Sequence, residues 1–197
     1  MINKVVKIFF CVVFLYSGVS YSQVKDTRSK PFTKYSTWLL LQAIPSPGII
    51  SDANDDNARV QFSLKWQITP LNISFKANKY VSPVQFFMIN PVRRFTGSAE
   101  LFIQPEVVTS SFKYSGFDRF GLNTGARVII PVQEMGENIA VSLGGKYTFR
   151  KNTFSGDNGY AGVESGVYFI GGLFGLQFTK NFNANNLYSA SFYFKYY

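Results

Sequence analysis

The chain has no histidine and a single cysteine, Cys11, in 197 residues. Without an imidazole or a second thiol it offers no base for a serine or cysteine triad and no His or Cys ligands for zinc. One thiol makes no intramolecular disulfide, so an exported chain of this kind must be held by hydrogen-bonded sheet. Blocks of like charge are missing as well. Lys and Arg number 20 against 11 Asp and Glu, a formal charge of +9. These bases fall singly along the chain, and no cluster would track a phosphate backbone, so nucleic acid is not an expected partner. The unbroken apolar run Ile8 to Tyr16 has about half of the ~20 residues that a spanning helix needs.

Lys4 and Lys7 precede that run, and Ser20 and Ser22 follow it at the minus-three and minus-one positions of a signal-peptidase site. Residues 1–22 are read as a removed secretory signal. Cys11 lacks a lipobox and leaves with the signal; the loss of Lys4 and Lys7 takes the formal charge from +9 to +7. Residues 23–34, polar, basic and broken by Pro31, read as a short lead into one domain over 35–197.

What is present is a period of two. Val60, Phe62, Leu64, Trp66 and Ile68 share one face of an extended segment, and Arg59, Gln61, Ser63, Lys65 and Gln67 share the other. The same alternation returns around Phe120 to Ile130, Ile139 to Arg150 and Tyr188 to Tyr197. Aromatics make up 18% of the chain while mean hydropathy is near zero, as in a wall where only alternate residues face hydrocarbon. The expected fold is all-β: a transmembrane up-and-down antiparallel β-barrel. Its ten strands would cover 35–45, 57–68, 71–79, 84–94, 97–110, 119–131, 138–150, 159–170, 172–182 and 186–197. Both chain ends on one side of a membrane require an even number. Eight strands, with part of Tyr80 to Gly97 as an insertion outside the wall, is the alternative. In the ten-strand reading Thr69-Pro70, Phe95-Thr96, Val132 to Glu137 and Gly171 are short inner turns, while Ser46 to Asp56, Ser111 to Asp118 and Lys151 to Asn158 are outer loops.

Arg59, Lys65, Lys76, Arg119, Arg127, Lys146, Arg150 and Lys195, with Glu100, Glu106 and Glu164, fall on the inward row. In a barrel this narrow, charges of both signs are expected to pair and fill the lumen. The excess of bases leaves a narrow anion-favouring pore as the alternative. Trp38, Trp66, Tyr147, Phe149, Tyr196 and Tyr197, with Phe154, lie near expected strand ends, where aromatic girdles meet the boundary between lipid and water. Asp52, Asn54 and Asp56 begin a calcium loop, but Asn57 replaces the glycine at its sixth position and Ser63 the glutamate at its twelfth. No metal or other cofactor is therefore expected. Asp55 with Asp56, and Glu134 with Glu137, sit in expected loops with no nucleophile pattern beside them, so loop solvation explains them better than acid-base catalysis.

The signal, the alternating segments and the aromatic last strand together resemble the small outer-membrane β-barrel proteins of Gram-negative bacteria. Ser-Tyr-Ser before Gln23, Trp66-Gln-Ile-Thr-Pro70 and Gly97 to Glu106 look most like uncharacterised barrels of Bacteroidota. Tyr196 holds the register where that family usually places a lipid-facing Phe. The resemblance implies an outer-membrane location, a porin-like architecture, and contact with outer-membrane lipid, lipopolysaccharide and the barrel assembly machinery. Known enzymes among such barrels use histidine, so the expectation is a non-enzymatic protein of envelope structure or a partner of another envelope protein. A soluble secreted lipocalin-like carrier is a further alternative, with its apolar faces turned inward around a ligand.

Overall fold

A computed structural model describes residues 36, 43–53, 56–75, 83–87, 97–132, 139–169, 174–182 and 188–194. Ten strands follow one another: β1 (Ser46–Ala53), β2 (Ala58–Lys65), β3 (Ile68–Ser74), β4 (Val84–Phe86), β5 (Ser98–Val108), β6 (Phe120–Pro131), β7 (Ile139–Phe149), β8 (Gly159–Phe169), β9 (Phe174–Asn181) and β10 (Tyr188–Phe194). From β5 to β10 each strand pairs antiparallel with the next. β10 then pairs with β1, β1 with β2, and β2 with β5. Eight strands therefore close a ring, and β3 and β4 are additional to it.

The expected ten-strand wall is corrected to eight at three places. First, β2 and β3 share one position. Ser63 pairs with Val108, Lys65 with Glu106 and Ile68 with Ile103, in one register, and the Trp66 N–H donates to the Pro105 carbonyl. Thr69-Pro70, expected to turn, lies inside β3, where the register against β5 shifts before Leu71. A bulge is where a strand tolerates a proline that has no N–H to give. Second, β4 pairs only with β3. It falls in the segment assigned to an insertion by the eight-strand alternative. Third, Ser46 to Ala53, expected as an outer loop, is β1. The expected strand at 35–45 lies mostly outside the described residues.

A cross-strand row fixes the geometry of the ring. It runs from Asn72 through Glu100, Arg127, Gly144, Glu164, Thr179, Ser189 and Ile50 to Gln61. The row returns to its starting strand eleven residues from Asn72, one of them owed to the bulge. A stagger of about ten residues in eight strands goes with strands tilted roughly 35–45° and an interior that side chains fill. The C-terminal ends of β1, β5, β7 and β9 share one end of the ring, here the loop end, which also carries residues 109–119 and 150–158. The C-terminal ends of β6, β8 and β10 lie at the opposite end, as does the start of β1.

Candidate functional site

Strand parity sends polar side chains to the axis. Ser98, Glu100, Phe102, Gln104, Glu106 and Val108 of β5 are buried, and so are Ser142, Lys146 and Thr148 of β7. From just before β3 to its end the inward set passes from Gln67 and Thr69 to Asn72 and Ser74. The bulge resets the alternation and keeps the apolar residues outside.

Three connected layers occupy the lumen. In the first, the Arg127 Nε donates to Glu100 Oε2 at 3.0 Å and its Nη1 to Glu164 Oε1 at 2.8 Å. Asn72 Nδ2 donates to the other Glu100 oxygen at 3.1 Å. The guanidinium faces the rings of Phe102 and Tyr193 at 4.9 and 5.7 Å. Gly144 makes the span possible. It lies in register between Arg127 and Glu164, and a Cβ there would come 2.6 Å from the Arg127 Cβ. Gly144→Val is expected to cost about 1–3 kcal/mol as overpacking, read as a lower denaturant midpoint; an unchanged midpoint would mean that the β6 backbone at Ala126 and Arg127 gives way without cost.

The second layer is cationic. Arg150 Nη2 donates to Glu106 Oε2 at 2.8 Å, and Lys65 Nζ stands 4.0 Å from Glu106 Oε1. Lys146 Nζ donates to Asn123 Oδ1 at 3.5 Å, an oxygen shared with Thr148 Oγ1 at 2.6 Å. The third is a chain of neutral donors crossing from β5 to β7. Gln104 donates to Gln67, Gln67 to Gln177 and Gln177 to the Tyr168 hydroxyl, which is bonded to Ser142 Oγ.

At the loop end the 109–119 connection folds back over the ring. Phe112 and Phe117 pack with Ile50, Val108 and Tyr160 in one buried apolar cluster. Beside them the Asp52 carboxylate, 0% exposed, accepts the backbone N–H groups of Lys113 (2.7 Å), Tyr114 (3.2 Å) and Ser115 (2.9 Å). It also accepts the Ser115 hydroxyl at 2.8 Å and Gln61 Nε2 at 3.1 Å.

Lys65, Glu100, Glu106, Arg127, Lys146, Arg150 and Glu164 of the expected lumen set are thus brought together. Arg59 and Arg119 are corrected. Both share the inward parity but lie at the loop-end rim, where they are exposed. Arg119 there donates to the carbonyls of Val108 and Thr109. Lys76 and Lys195 lie outside the described residues. Without the rim arginines, the buried described bases Lys65, Arg127, Lys146 and Arg150 face as many acids, Asp52, Glu100, Glu106 and Glu164. The expected excess of bases is absent from this set.

Of the girdle residues, Tyr147 and Phe149 are exposed near the loop end of β7, with ring centroids 4.8 Å apart. Trp66 lies between β2 and β3, partway along the stretch that runs beside β5 and not at an end of the wall, and its indole donates to the Ala43 carbonyl at 2.9 Å. Trp38, Tyr196 and Tyr197 fall outside the described residues. Asp52 points to the axis and Asp56 is exposed, so they do not share a calcium loop; Asn54 is outside the described residues. Among the described residues no three His, Cys, Asp or Glu side chains gather as a metal site. The sequence reading missed the role of Asp52. Its inward parity beside Ile50 was the available signal. No protein-family model, curated protein or solved structure matches the chain.

Proposed function

We propose that the chain is a non-enzymatic integral outer-membrane β-barrel with a lumen closed by packed charges, acting in envelope structure or as a partner of envelope components. One observation carries the reading: the barrel is apolar outside and charged inside. Leu143 and Phe62 are 64% and 47% exposed on the outer wall, whereas Lys65 and Lys146 are 1% and 6% exposed within. Ile49, Leu101, Ile130, Val163, Leu176 and Phe178 continue the outer apolar surface around the ring. In water such a surface would be an aggregation hazard, while in a bilayer it is the solvated face. Closure satisfies the sheet edges that hydrocarbon does not tolerate. Lipid and lipopolysaccharide are the partners this wall suits, with the barrel assembly machinery needed to insert it.

The test is location and behaviour in detergent. Full-length protein expressed with its own leader is expected in the outer-membrane fraction, resistant to carbonate extraction and migrating differently on SDS electrophoresis before and after boiling. Folded protein recovered without detergent from a periplasmic extract would overturn the proposal.

The Arg127 layer and the glutamine chain leave little room for a solute path, and a lipocalin-like carrier would need apolar walls where Glu100, Arg127 and Glu164 stand. Purified protein in planar bilayers is expected to give no steady conductance. A stable anion-selective current would favour the pore instead.

A further inference from the structure

The contacts at the loop end are divided between two kinds. The apolar cluster of Phe112 and Phe117 seats the 109–119 connection on Ile50, Val108 and Tyr160, and it has no directional component. Within 113–115 orientation comes from a single side chain. Three successive N–H groups, Lys113 to Ser115, converge on Asp52 together with the Ser115 hydroxyl. Such a backbone nest favours an anion at its centre. Gln61 donates to the same carboxylate and, at 3.4 Å, to the Ser111 carbonyl, tying the near side of the loop to β2. The far side is joined to the neighbouring loop instead, where Thr153 N–H and Oγ1 donate to the Gly116 carbonyl and Phe117 bridges Asn152. Gly116 has φ +68°, and its missing Cβ is filled by the Phe154 ring, so the loop bends at a point with the conformational latitude of a hinge.

We infer that residues 109–117 form a lid over the loop-end mouth and that Asp52 is its latch, controlling access from that side to the cationic layer of Lys65, Lys146 and Arg150. Remove the carboxylate and the nest loses its anion and four donors of the loop lose their acceptor, leaving the apolar seat, the Gln61 bond to Ser111 and the ties of Gly116 and Phe117 to the neighbouring loop. The lid then opens about Gly116 while the Arg127 layer beneath stays closed. This goes beyond the membrane proposal and does not depend on it, because the test reads the lid in whatever medium holds the barrel.

In a Cys11→Ser background the protein has no other thiol. Val108→Cys places one beneath the lid, at a position 0% exposed, and Ser142→Cys places one in the glutamine layer. With a water-soluble methanethiosulfonate reagent, Asp52→Ala is expected to raise the labelling rate at position 108 at least tenfold and to leave position 142 protected. Equal rates at 108 with and without Asp52, or acceleration at both positions, would overturn the inference. A second measurement needs no cysteine: limited trypsin digestion of the full-length chain, with the cut after Lys113 quantified by mass spectrometry. Cleavage there is expected to accelerate tenfold or more in Asp52→Ala while the unboiled band persists; unchanged cleavage at Lys113 counts against the latch.

Discussion

The Arg127→Met protein is expected to lose about 3–5 kcal/mol of unfolding free energy, visible as a large fall in the urea midpoint of the barrel in lipid vesicles. The magnitude follows from what the substitution strands. Glu100 and Glu164 are fully buried and both rest on the guanidinium, so its removal leaves two carboxylates without their cation in a space that excludes water. Methionine fills much of the volume, which separates the charge effect from a cavity. The triple variant Arg127→Met, Glu100→Gln, Glu164→Gln is expected to recover most of the loss, because removing a buried ionic group as a set is often neutral. A single variant that falls by less than about 1 kcal/mol, the scale of an exposed pair, would show that the layer does not hold the lumen together.

The second large effect is on the outside. Leu143→Arg is expected to cost about 2–4 kcal/mol if the residue lies near the bilayer midplane. In water an exposed leucine replaced by arginine changes stability by no more than about 0.5 kcal/mol. Leu143 is 64% exposed and has no buried role in the fold, so the two environments predict results several-fold apart. Unfolding in vesicles, compared with the parent, decides between them. A neutral Leu143→Arg would remove the ground for reading the outer wall as lipid-facing.

The inward and outward assignments were legible because a barrel wall with an apolar outer face and a polar inner one writes them in alternate letters. Phe62 beside Ser63 and Leu143 beside Gly144 need no partner to be oriented. Strand number was harder, since it depends on who pairs with whom. Thr69-Pro70 has the chemistry of a turn, and only β5, running past both β2 and β3, shows that the chain goes straight on through a bulge. Pro45-Ser-Pro-Gly48 likewise reads locally as a loop. It is made a strand by β2 on one side and by β10, from the far end of the chain, on the other. Height along the axis is also absent from a two-residue period, which is why Arg59 and Arg119 share the parity of Lys65 and Arg127 but end at the rim. Asp52 was hidden for a different reason: its donors are backbone groups of a distant loop, and N–H groups leave no mark in a sequence.

Among the described residues the ladder that joins β1 to β10 has three rungs, Gly48 with Ser191, Ile49 with Ala190 and Ile50 with Ser189, and on one side it stops at the residue after Pro47, whose ring has no N–H. Until those rungs form, the cylinder is a curled ribbon with two raw margins, each a row of unmatched peptide groups open to pairing with another chain. Their partners come from opposite ends of the barrel's chain, so this zipper fastens only after the intervening strands are in hand, a late and slow event in assembly.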